Sequence, residues 1–72
     1  MEEFMFLGLR LMEGVSRQEF VRKFGTDLLT VYGSVIARNM EDGLIEEGEG
    51  DYYRLTPKGI DVSNYVMSQF LF

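Results

Sequence analysis

The stretch from Met40 to Gly59, MEDGLIEEGEGDYYRLTPKG, constrains this chain most: it reads as a helix end, a short β-hairpin and the start of a new helix. Gly43 stops the helix and Leu44 and Ile45 begin a strand. Gly48 and Gly50 supply the positive φ values of a tight turn, and Tyr53 and Leu55 alternate inward on the return strand, leaving Tyr52 and Arg54 outside. Thr56 caps the next helix, and Pro57 occupies its first position, where a missing N–H costs nothing. Helix, hairpin and helix in that order form the tail of a winged helix. Glu46, Glu47, Glu49 and Asp51 sit at or beside the tip, however, where a DNA-binding wing needs cations to meet phosphate.

Upstream, Glu2 to Glu13 is predicted helical, with Glu2 and Glu3 favourable at the positive end of the helix dipole and Gly14 placed to stop it. At ~100° per residue, Phe4, Met5, Leu7, Leu9, Leu11 and Met12 spread over roughly 200°, about twice the stripe a helix needs to lie on one core. Phe6 falls on the other side, among Glu3, Arg10 and Glu13. Ser16 and Glu19 form a capping box for a helix from Arg17 to Phe24, with Phe20, Val21 and Phe24 as its narrow stripe and Gly25 as its end. Thr26 or Asp27 then caps a third helix running to about Asp42, and the two make a helix-turn-helix.

The third helix gathers Leu28, Leu29, Tyr32, Val35, Ile36 and Met40 on a core face. Its opposite face, Thr30, Ser34, Ala37, Arg38 and Glu41, offers a major groove one Arg and a carboxylate. A fourth helix is predicted from Pro57 to about Phe70, where Ile60, Val62, Val66, Met67, Phe70 and Leu71 cover roughly 180°. The expected fold is α+β, a winged helix spanning residues 1–72 as one domain. Helices one and four carry more apolar surface than so small a body can bury. Phe4, Phe6, Leu7, Arg10, Leu11, Val62, Val66 and Phe70 are therefore the candidate interface with a second body of protein.

Chemistry is bounded by what is missing. The chain has no Cys and no His, which removes disulfides, thiol nucleophiles, Fe–S ligation and the neutral-pH proton shuttle. Seven basic against twelve acidic residues leave a net charge of −5, the wrong sign for a nucleic-acid footprint or an anionic membrane surface. No apolar run reaches the ~20 residues of a membrane span, and the N-terminus lacks the layout of a secretory signal. A cytoplasmic setting is expected. Adjacent acids such as Glu41 and Asp42, or Glu46 and Glu47, point in different directions and read as surface charge. Gly48 and Gly50 lie in a hairpin, not at a helix start, so they form a turn and not a phosphate loop. No catalytic, cofactor-binding or metal-binding residue is expected.

A family resemblance is carried by EEFMFLGLRLMEGVSRQEFVRKFG, then by EDGLI, RLTPKGIDVSN and VMSQFL in the same order. The chain resembles the C-terminal domain of oxygen-independent coproporphyrinogen III oxidase-like proteins over nearly its whole length, FLGLRL and LTPKGIDVSN being the most specific parts. The resemblance implies a piece of a longer protein, appended after a radical S-adenosylmethionine barrel. That barrel would hold a [4Fe–4S] cluster on a CxxxCxxC motif and bind S-adenosylmethionine, leaving this piece without a cofactor. The family divides into true oxidases of porphyrin biosynthesis and relatives that look like haem chaperones, and FLGLRL is closer to the second group. Leu7, Gly8, Leu9, Arg10, Leu11, Leu55, Thr56, Lys58, Gly59 and Asn64 match the two family segments and take structural or docking roles. The expected function is a non-catalytic accessory domain that docks on the barrel of the same parent chain, with tetrapyrrole as a second partner. An unrelated protein-interaction winged helix and a DNA-binding regulator are the alternatives.

Overall fold

The computed structural model describes residues 1–71, and its architecture grows outward from a few local stops and caps. The elements run α1 (Glu2–Leu9), β1 (Val15–Ser16), α2 (Arg17–Phe24), α3 (Leu28–Glu41), β2 (Ile45–Gly48), β3 (Tyr52–Leu55), α4 (Pro57–Asp61) and α5 (Ser63–Ser68). The class is α+β, as the sequence predicts. The strands form one antiparallel sheet in the order β1-β3-β2, with Val15 opposite Tyr53 and Ile45 opposite Leu55.

Capping explains the interior boundaries. The Ser16 hydroxyl accepts the Glu19 N–H at 3.1 Å to start α2, and Gly25, at φ 72°, ends it in the left-handed conformation. Asp27 caps α3 by accepting the Leu29 N–H, and the Thr56 hydroxyl caps α4 by accepting the Gly59 N–H at 3.0 Å. The Thr56 hydroxyl also donates to the Gly43 carbonyl at 2.6 Å, tying the end of β3 to the entry of β2.

Three features depart from the sequence reading. The first helix stops at Leu9, short of Glu13, because tight turns take over: Leu11 N–H bonds the Gly8 carbonyl and Gly14 N–H bonds the Leu11 carbonyl. They turn the chain into β1, a strand too short to show alternation. The predicted fourth helix breaks at Val62 (φ −120°, ψ 34°), and the break separates α4 from α5. At the hairpin tip the positive φ values belong to Gly50 (74°) and Asp51 (62°), whereas Gly48 stays in the ladder opposite Tyr52. The short polar side chain of Asp51 tolerates that conformation.

The core is one cluster to which every helix except α4 contributes a buried hydrophobic side chain, joined by Val15, Leu44, Ile45, Tyr53 and Leu55 from the sheet and its entry. A run of rings crosses it: Phe4 to Phe20 at 5.6 Å, Phe20 to Tyr32 at 6.2 Å and Tyr32 to Phe70 at 5.1 Å, all edge-on. Such pairs contribute about 0.5–1.5 kcal/mol each beyond area burial. On α3, Asn39 and not Met40 is the residue that turns fully inward. Its amide donates to the Val35 carbonyl at 2.7 Å and to Gln69 Oε1 at 3.1 Å, and Gln69 Nε2 donates back at 3.4 Å. This exchange locks α3 to the end of α5 and satisfies a polar group that burial would otherwise penalise.

Candidate functional site

The apolar surplus predicted for the outer helices is half used by the core and half left outside. Met5 and Leu9 of α1 are buried, whereas Leu7 is 58% and Leu11 55% exposed. Gly8 packs α1 directly on β1, where a Cβ would collide with the Val15 side chain, and leaves Leu7 outside, while Leu11 stands in the turns that follow α1. On the other side, α4 is drawn onto Leu44 by Gly59, where a Cβ would collide with the Leu44 carbonyl, and Ile60 is left 61% exposed.

Leu11 is the ridge between two open grooves. The larger, of about 630 Å³, has Phe4, Leu7, Gly8 and Val15 along its floor and carries Glu3, Glu13, Glu19 and Lys23 at its edges. The Lys23 ammonium sits 5.8 Å from the Phe4 ring and 5.9 Å from the Phe24 ring, where a cation is attracted to the ring faces. The smaller groove, of about 330 Å³, has Leu9, Leu55 and Met67 beneath and Leu11, Met12 and Ile60 as walls, with Arg10 and Arg54 as its charged groups. The Arg54 Nε donates to Glu46 at 2.7 Å across the β2–β3 ladder. Arg10 has no ion-pair partner among the described residues.

Of the predicted interface, Leu7, Arg10, Leu11 and Val62 are exposed, and Phe4 and Phe6 are half-buried against the core. Phe6 is therefore not a free aromatic on the far side of α1. Val66 and Phe70 require correction: both are fully buried, because the break at Val62 turns α5 so that they fill the chain's own interior. Two further residues join the exposed apolar surface, Met12 and Ile60, both within the apolar arcs of the predicted helices.

The perturbed titrating groups lie away from the grooves' charged edges. The Arg17 guanidinium, with help from the Leu29 N–H, holds the Asp27 carboxyl down at about 2. Burial pushes the Tyr53 phenol up. Among the described residues no group of three or more His, Cys, Asp or Glu side chains is placed to hold a metal ion. Among the described residues no helix is long and apolar enough to cross a membrane.

Comparison with known proteins gives a consistent answer. Residues 1–62 match the model of the HemN C-terminal domain. The chain is similar to Heme chaperone HemW of Bacillus subtilis (strain 168), 43% identical over 70 residues, covering 97% of this chain and 18% of that protein. It is also similar to Heme chaperone HemW of Lactococcus lactis subsp. lactis (strain IL1403), 34% identical over 70 residues with the same coverage of 97% and 18%. No solved structure matches it. The chain thus spans about a fifth of the length of these relatives, and it belongs to the HemN C-terminal domain family.

Proposed function

We propose that this chain is the accessory domain of a haem-chaperone-like radical S-adenosylmethionine protein, that it folds as a winged helix, and that it works by docking its larger groove on the main body of that protein in the cytoplasm. The observation that carries this reading is the exposure of both Leu7 and Leu11 within the FLGLRL segment, where both line the larger groove. Two exposed leucines beside a half-buried Phe4 present the spaced apolar anchors that a partner surface covers. The order α1, β1, α2, α3, β2, β3 with a three-stranded sheet supports the winged-helix assignment.

Bond-making chemistry lies outside this domain in our reading. A [4Fe–4S] cluster requires thiolates, and a chain without Cys cannot supply them, so cluster and S-adenosylmethionine belong to the main body. What remains for this chain is to position and shield. A DNA-reading role is disfavoured by the wing itself: its one cation, Arg54, is neutralised by Glu46 beside Glu47, Glu49 and Asp51.

The docking reading is tested by grafting the chain in place of the matching stretch of the Bacillus subtilis relative and comparing it with Leu7→Asp in the same graft. Docking predicts that limited proteolysis releases the Leu7→Asp domain at least tenfold faster. Equal release rates would refute it.

A further inference from the structure

We infer that the smaller groove, walled by Leu11, Met12 and Ile60 and headed by Arg10, receives the carboxylate-bearing edge of a tetrapyrrole. The inference rests on the reading of the parent as a haem-handling protein and says where in this domain such a ligand would sit. Charge sorts the two grooves. The chain as a whole carries −5, and the larger groove has three carboxylates against the Lys23 ammonium and the Met1 amino terminus, itself paired with Glu2, yet the charged groups lining the smaller one are two guanidiniums and no carboxylate. A flat apolar dianion is repelled by the first surface and attracted by the second.

The chemistry of the smaller groove fits that ligand class in detail. Met12 is 96% exposed, so it and its neighbours Leu11 and Ile60 stand uncovered as apolar walls. Beneath them Leu9, Leu55 and Met67 are buried and hold the floor in place. Arg54 has its Nε committed to Glu46, which fixes the guanidinium but offsets its charge. Arg10, with no ion-pair partner among the described residues, is the free planar fork that a propionate can meet with two parallel hydrogen bonds. No imidazole or thiolate exists in the chain to ligate iron, so recognition rests on the ring face and the carboxylates and is indifferent to the metal.

Fluorescence anisotropy of protoporphyrin IX titrated with the 72-residue chain tests this, with haemin competing and the porphyrin dimethyl ester as the uncharged control. Saturable binding at one site is expected, with haemin displacing the porphyrin at comparable concentration, and with Arg10→Glu and the dimethyl ester each weakening it at least tenfold. Ile60→Asp should weaken binding similarly, while Leu7→Asp, on the larger groove, should leave it within twofold. Circular dichroism on each variant checks that the fold is intact, as the exposure of these positions predicts. Absence of saturable binding, equal affinity for acid and ester, or an effect of Leu7→Asp as large as that of Ile60→Asp would overturn the inference. The docking reading would be untouched by such a failure, because its proteolysis test depends on the other groove.

Discussion

Arg17 and Asp27 meet through two parallel hydrogen bonds, Nε to Oδ1 at 2.9 Å and Nη2 to Oδ2 at 2.6 Å. The same Oδ1 accepts the Leu29 N–H at 3.1 Å, so one carboxylate joins the start of α2 to the start of α3. Between these two starts α2 carries Phe20 and Phe24, each with its ring 5.6 Å from that of Phe4.

The clamp predicts a defined response to acid. Asp27 is held at about 2 in the folded chain, below its ordinary 3.8, so the unfolded state takes up the proton first. Its stabilising contribution is complete above about pH 4 and is lost as pH falls toward 2. Thermal melts from pH 5 to 2 should show the wild-type midpoint dropping through that window. Asp27→Asn should melt lower than wild type at neutral pH and show a flatter profile below pH 4, while equal slopes for the two proteins would contradict the assignment.

Glycines at close approaches should be intolerant and one elsewhere should not. A Cβ at Gly59 meets the backbone carbonyl of Leu44, which cannot rotate away, so Gly59→Ala should cost about 1–3 kcal/mol through backbone displacement. Gly33 lies inside α3, and a Cβ there would touch only Leu29 Cβ at an ordinary 3.8 Å. Gly33→Ala should therefore stabilise by about 0.5–1 kcal/mol. Urea unfolding of both variants checks the opposite signs.

The Asn39–Gln69 exchange should control the C-terminal helix. Asn39→Ala leaves the Gln69 amide without its partner and opens a small void, a loss of about 1–3 kcal/mol. Amide exchange of Val66 and Met67 should accelerate more than that of Phe20. Uniform acceleration across the chain would mean that the pair contributes only to global stability.

The fold was legible where signals are local. The bounds of α2 follow from Ser16, Glu19 and Gly25 alone, and the inward register of Tyr53 and Leu55 follows from alternation. It was illegible where a partner lies far along the chain. β1 exists because Val15 finds Tyr53, and the burial of Asn39 depends on Gln69, 30 residues later. The break at Val62 carries no Gly or Pro to announce it. Of the site, the apolar surplus was visible as arcs too wide for one core, but the division into exposed Leu7, Leu11 and Ile60 and buried Val66 and Phe70 depended on where α1 ends and on the break at Val62. The charge difference between the grooves emerges only after folding.

The docking of the larger groove is tested most directly by carbene footprinting of the grafted protein against the isolated 72-residue chain, read by mass spectrometry at Leu7 and Leu11. We predict that labelling of these two residues falls severalfold in the graft, while Val21 and Met40, also exposed but outside that groove, label as they do in isolation. Unchanged labelling of Leu7 and Leu11 would show that no protein surface covers them and would contradict the account.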